Sequence, residues 1–321
     1  MKRKIIIGTL IVAGATVGCS SDDETLQPPI GFVQVFGDEF TGALGESPDP
    51  SKWTYDIGTG PNDSGWGNNE LQYYTDDPEN VSLDGDGNLV ITARDVPVAD
   101  RGSFGNRAYS SARIKTQGLF EQEYGLFEAR IRLPSGQGMW PAFWMLGDDI
   151  DEVGWPRTGE IDIMEFNGGE ATATSGALHG PGHNGANAIF AKYEERVDVE
   201  VVNDQGETEI ETELREFDEE FHVFAVEWDP SRITWSVDGN VFFIQNSAQV
   251  QAAAETNCEG DLIAGGCDAF STRDRWPYDH PFFMLLNLAV GGTFVQNQAP
   301  LPGSLPQTLL IDYVRVFERA R

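Results

Sequence analysis

Phe127-Glu128-Ala129-Arg130-Ile131-Arg132-Leu133 alternates apolar and polar side chains without a break. A period of two puts Phe127, Ala129, Ile131 and Leu133 on one face and the charged residues on the other, as in a strand buried on one side. Further strand stretches lie at Leu89 to Ala93, Glu160 to Phe166, Phe221 to Trp228, Ile233 to Val237, Phe282 to Leu288 and Leu309 to Phe317. Thirty-six glycines and seventeen prolines supply turns between them. Long strands with buried inner faces predict an all-β sandwich of two stacked antiparallel sheets. No convincing amphipathic helix is expected after residue 20.

The 321 residues are 40% hydrophobic, enough for one large all-β domain or two ordinary ones. No linker interrupts the chain from Val35-Phe36-Gly37-Asp38-Glu39-Phe40 to Tyr313-Val314-Arg315-Val316-Phe317, and no repeat recurs. One domain over 34–321 is therefore expected, preceded by a flexible tether over 19–33 that contains Pro28-Pro29. Residues 194 to 220 hold thirteen acids, in two alternating stretches around Asn203-Asp204-Gln205-Gly206. That pattern predicts a hairpin with a solvated acidic face.

Residues 1–18 begin with Lys2-Arg3-Lys4 and continue as an apolar run from Ile5 to Val17, the layout of an export signal. The run is too short to span a bilayer as a mature helix. Thr16-Val17-Gly18-Cys19 resembles the cleavage and lipidation site of bacterial lipoproteins, with Thr16 where leucine is usual. Ser20-Ser21-Asp22-Asp23-Glu24 resembles the acidic tether of surface lipoproteins of the Bacteroidetes type. The expectation is an exported lipoprotein at the outer membrane or cell surface, touching the membrane only through Cys19. The alternative is ordinary cleavage with Cys19 left free.

The formal charge is −31, and about −34 once the basic start is removed. Such a field repels nucleic acid and favours a neutral or cationic partner. Cys258 and Cys267 share a glycine-rich stretch of an exported chain and are expected to form a disulfide. The alternative is two free or metal-binding thiols, although no third cysteine and no nearby histidine completes a zinc site.

Gly159-Glu160-Ile161-Asp162-Ile163-Met164-Glu165-Phe166 sets three carboxylates within six residues of an otherwise apolar strand. Like charges so close raise one another's pKa values, a cost that points to chemistry. In a regular strand Glu160 and Asp162 share a face and Glu165 falls on the other. A one-residue bulge after Asp162 would return Glu165 to the face of Glu160. The two glutamates would then be about 13 Å apart at the backbone, and their side chains could close to the ~5–5.5 Å of a retaining glycosidase.

This strand resembles the Glu-x-Asp-x-x-Glu signature of glycoside hydrolase family 16, in its laminarinase (endo-β-1,3-glucanase) branch. The likeness runs through Trp66-Gly67-Asn68-Asn69-Glu70-Leu71-Gln72-Tyr73-Tyr74-Thr75, Ser111-Ala112-Arg113-Ile114, Gly138-Met139-Trp140-Pro141-Ala142-Phe143-Trp144-Met145, Leu178-His179-Gly180 and Leu286-Asn287-Leu288-Ala289-Val290-Gly291-Gly292. The resemblance implies a β-jelly-roll sandwich with a glycan cleft on the concave face. It implies Glu160 as nucleophile, Glu165 as acid/base and Asp162 as the neighbour that tunes Glu160. Met164 is the extra residue that separates this branch from the Glu-x-Asp-x-Glu lichenases. Along the cleft the resemblance places Trp140 and Trp144, with Asn68, Arg113 and His179 as polar contacts. Trp155, near the catalytic strand in sequence, joins them as a flat face for a sugar ring.

No cofactor is expected for catalysis. The family pattern implies a structural calcium at Glu39, the backbone of Gly85 and Asp312, a hard oxygen set, against the alternative of surface acids without metal. The expected activity is endo-hydrolysis of β-1,3-glucan by a monomer. The rivals are a family 16 galactanase of the agarase or carrageenase kind and a non-catalytic surface glycan-binding lipoprotein.

Overall fold

The computed structural model describes residues 28–202, 208–257 and 271–320. Within them the alternating stretches become strands: Leu89–Asp95, Gly125–Arg132, Glu160–Phe166, His222–Asp229, Arg232–Val237, Phe282–Val290 and Gln307–Arg319. Gly125–Arg132 shows the alternation directly, with buried residues at every second position.

One sheet has ten strands. Its spine runs Asn240–Asn246, Arg232–Val237, His222–Asp229, Gly125–Arg132, Gln307–Arg319, Leu89–Asp95, Tyr109–Ser111, Gln72–Tyr74, with Phe32–Asp38 and Val81–Leu83 paired beside it. The other has seven strands, in the order Ile189–Tyr193, Thr174–His179, Glu160–Phe166, Met139–Gly147, Phe282–Val290, Arg113–Lys115, Thr54–Asp56. Pairing is antiparallel except between Gln72–Tyr74 and Tyr109–Ser111, which run parallel.

The inner faces meet in one continuous core: Phe127, Ile131 and Val226 from the larger sheet lie in the same cluster as Met145, Ile161 and Leu286 from the smaller. Fully burying each large side chain contributes roughly 1.5–3 kcal/mol. The fold is the all-β sandwich that the alternation predicts.

Three features differ from or refine the sequence reading. The first strand begins at Phe32, paired with Arg319, so the ordered domain starts before residue 34. A helix does occur, over Ser247–Asn257. Only Val250 and Ala254 are buried on it, a stripe too narrow to register as amphipathic. The acidic segment pairs as Arg196–Val202 with Thr208–Leu214 in a separate two-stranded sheet. The second of these strands is exposed almost throughout, as a solvated acidic face requires, and Asn203-Asp204-Gln205-Gly206 lie outside the described residues.

Residues 1–18, Cys19, Cys258 and Cys267 lie outside the described residues. No helix among the described residues is long and apolar enough to cross a membrane.

Candidate active site

Along Glu160–Phe166 the ladder slips by one residue. Asp162 lies opposite Trp144 and Met164 opposite Phe143, which leaves Ile163 unpaired on that side. On the other side Asp162 faces Ala177 and Glu165 faces Ser175. Five steps from Glu160 to Glu165 thus match four on each neighbour, Leu146 to Ala142 and His179 to Ser175. The odd separation becomes even, and Glu165 returns to the face of Glu160 and Asp162.

The bulge is pinned from behind. Trp235, on the ten-stranded sheet, donates its Nε1–H across the core to the carbonyl of Asp162 at 2.8 Å. A Cβ on Gly176 would lie 2.5 Å from the Trp235 ring, so the missing side chain is what admits the indole. Ile163 and Met164, on either side of the slip, are both buried in the core.

Register then lays out the face that carries the acids. One lateral row reads Lys192, Ser175, Glu165, Ala142, Asn287, Arg113, Asp56. The next reads Phe190, Ala177, Asp162, Trp144, Leu285, Lys115, Thr54, and a third begins His179, Glu160, Leu146, Phe283. Residues scattered over more than a hundred positions of sequence are therefore adjacent because the strands stack in this order.

Two tryptophans address the glutamates directly. Trp155 donates its Nε1–H to Glu160 at 3.0 Å, and Trp140 donates to Glu165 at 3.1 Å. Trp155 is 42% exposed at the rim, which excludes a core-packing role for it. Trp140 stacks on Phe294 at 5.1 Å, within a small apolar cluster separate from the main core. Trp144 donates to Asn287 at 2.7 Å.

The polar residues expected as sugar contacts take more varied places. His179 points its Nε2 at Asp162 (3.2 Å) and Glu160 (3.7 Å), inside the acid cluster. Arg113 is buried between the rings of Trp66 and Tyr74, at 4.6 and 4.7 Å, and faces Glu70 and Asp56. Its first task is to brace that wall. Asn68 is tied to it indirectly, through a 3.5 Å bond to Glu70, while the carbonyl of Asn68 accepts from Thr293 N–H.

Electrostatics in the cluster follow from burial. Desolvation first, then the charge of Asp162, push both Glu160 and Glu165 above the ordinary carboxylate range. Hydrogen bonds from Trp155 and Trp140 and the charge of His179 oppose the shift. Burial disfavours a charged His179, but the attraction of Glu160 and the contact with Asp162 outweigh it and push the pKa up to about 10.

Residues 66–257 match the family model of glycosyl hydrolases family 16. The chain belongs to glycosyl hydrolase family 16. It is 34% identical over 319 residues to a β-glucanase of Rhodothermus marinus, covering 98% of this chain and 96% of that protein. It is 34% identical over 303 residues to glucan endo-1,3-β-glucosidase A1 of Niallia circulans, covering 90% of this chain but 38% of that longer protein. The catalytic domain of an endo-1,3-β-glucanase (laminarinase) from Thermotoga petrophila superposes with a TM-score of 0.71 at 36% identity, over 90% of this chain and 99% of that one.

Three residues that contact the expected site residues Trp144, Trp140 and Arg113 were not singled out from the sequence. Asn287 is the one polar side chain in Phe282–Val290, a signal that was present. Phe294 follows the Gly291-Gly292 turn, and only the folded loop reveals its stack on Trp140. Trp66 sits at φ 53 in a tight turn, a placement that no spacing announces.

The positions that family 16 implies for calcium are Glu39, Gly85 and Asp312. Glu39 follows Asp38, which pairs with Val314, and Gly85 lies in the turn before Leu89, which pairs with Ile311. The donor set is all oxygen and suits Ca²⁺. In the structure Arg315 holds both oxygens of Glu39, at 2.9 and 2.7 Å, and Arg130 holds Asp312. A cation there has to draw those carboxylates from guanidinium partners.

Proposed function

We propose that this chain is an endo-β-1,3-glucanase that cuts laminarin-type glucan with retention of configuration. The observation that carries the reading is the bulge that sets Glu160 and Glu165 on one face with Asp162 between them. In the double displacement, a Glu160 carboxylate oxygen attacks the anomeric carbon as Glu165 gives its proton to the departing glycosidic oxygen. The raised pKa of Glu165 suits a proton donor at neutral pH. Glu165, now ionised, takes a proton from water, which attacks the glycosyl-enzyme and frees Glu160 with a second inversion. Trp140 with Phe294, Trp144 and the exposed Trp155 supply flat faces for pyranose rings, and Asn68, Arg113 and His179 supply polar groups.

The test is to incubate the protein with laminarin, lichenan, agarose and carrageenan and size the products. Laminarin should give a ladder of short oligosaccharides, with mixed-linkage glucan a poorer substrate. Products only from agarose or carrageenan would replace the glucanase reading by a galactanase one. Binding without new reducing ends would leave a glycan-binding protein.

We propose further, from the Thr16-Val17-Gly18-Cys19 segment, that the enzyme sits at the bacterial surface, anchored through lipid on Cys19. Cys19→Ala should move the protein from the membrane fraction to the soluble one, and unchanged fractionation would overturn the anchor. A calcium ion at Glu39, Gly85 and Asp312 is the second structural element of the proposal. At about a hundred times its Kd a bound ion contributes ~2.7 kcal/mol, so a chelator should lower the melting temperature. An unchanged melting curve with no calcium by elemental analysis would count against it.

A further inference from the structure

Glu160 and Glu165 face one problem that the fold has to solve. Both are half-buried on one sheet face, both feel the charge of Asp162, and both receive one indole hydrogen bond. Burial and Asp162 push both up and the charge of His179 opposes the shift at both, yet the double displacement needs one ionised and the other protonated. Something has to break the symmetry.

His179 is placed to do so. The register sets it directly opposite Glu160, whereas the residue opposite Glu165 on the same strand is the neutral Ser175. Its Nε2 lies 3.7 Å from Glu160 and 3.2 Å from Asp162. No lysine or arginine is paired with Glu160, Asp162 or Glu165 among the described residues. Lys192, in the row of Glu165, pairs with Glu170 instead.

We infer that His179 is a positioning residue whose fixed positive charge assigns the negative charge to Glu160 and leaves the proton on Glu165. The inference rests on the glucanase reading for its catalytic meaning, but the order of ionisation is a property of the folded protein alone. An opposite charge within about 4–6 Å favours the ionised carboxylate, typically by 1–3 pH units, and the effect decays with distance along the strand.

The surroundings of the imidazole are consistent with a held cation. Glu160, Asp162 and Glu165 face it from the neighbouring strand. The Trp155 ring lies 6.1 Å away from the loop before that strand. On the far side Tyr278 donates its hydroxyl to the His179 carbonyl at 3.0 Å and contacts His183 Nε2 at 2.9 Å, so those groups fix the backbone rather than the ring charge. His179 Nδ1 is buried without a hydrogen-bond partner among the described residues, so Nε2 makes the ring's polar contacts with the acids.

The test is a carboxyl titration by NMR on protein labelled with ¹³C at glutamate side chains, with the two resonances assigned through Glu160→Gln and Glu165→Gln. In the wild type Glu160 should ionise at lower pH than Glu165, and the His179 ring should remain protonated at pH 7. In His179→Gln the Glu160 midpoint should rise by about one unit or more, closing or reversing the gap. His179→Lys, which restores a cation, should reopen it. The acidic limb of kcat/KM on laminarin should move up with the Glu160 midpoint, a shift that a merely structural histidine would not produce. A neutral His179 in the wild type overturns the inference without any variant. So does an unmoved Glu160 midpoint in His179→Gln that melts like the wild type. Failure of the wild type to cut laminarin would remove the glucanase reading and leave the ionisation order to be judged by itself.

Discussion

Glu160→Ala should abolish cleavage of every β-glucan together, a loss on the order of 10⁴-fold or more in kcat. In the proposed mechanism the Glu160 carboxylate attacks the anomeric carbon, so its removal leaves no oxygen to form the glycosyl-enzyme. An activated leaving group cannot compensate, because the missing step is bond formation and not protonation. Aryl glucosides should therefore be lost as completely as laminarin. The fold should survive, since the deletion also relieves repulsion with Asp162 in a buried cluster. Substantial activity of a correctly folded Glu160→Ala protein on laminarin would exclude Glu160 as nucleophile.

Glu165→Ala should behave differently. Loss of the proton donor should cost about 10²–10⁴-fold on laminarin, whose glucosyl leaving group needs protonation. An aryl glucoside with a good leaving group should still load Glu160, and the intermediate should accumulate, seen as a burst followed by slow turnover. Azide needs no general base, so it should restore turnover and yield a β-glycosyl azide. Rescue of Glu160→Ala to an α-azide, with no rescue of Glu165→Ala, would reverse the two roles. An α-anomer as the first wild-type product would overturn retention itself.

Much of this arrangement was legible before the chain was folded. The alternation around Phe127 is a local property, and local properties survive folding when burial is one-sided. The bulge could be expected because a run of Glu-x-Asp-x-x-Glu cannot place its outer acids on one face without a slip. The apolar Ile163 and Met164 inside it show which way the slip must go. What sequence does not carry is the neighbour across the ladder. His179 lies near the acids because the pairing sets it opposite Glu160, and nothing in Leu178-His179-Gly180 encodes that register. Nor does sequence carry the surroundings of Arg113, which two rings and two carboxylates contact. The helix Ser247–Asn257 escaped because its two buried residues make almost no periodic signal.

The slip after Asp162 also changes how this strand should be compared with any other. What places the proton donor is the number of rungs it stands from the nucleophile, four here, and not the number of peptide units, five. Chain length between the pair can shorten by one without moving either acid, provided the unpaired residue is the one that goes. Parity is conserved and distance along the chain is not. A comparison that counts residues would then assign the donor to the core side of the sheet, whereas one that counts rungs would find it in place. Trp235 marks the rung at which the count must be corrected, because its indole takes the carbonyl of Asp162 just before the two counts diverge.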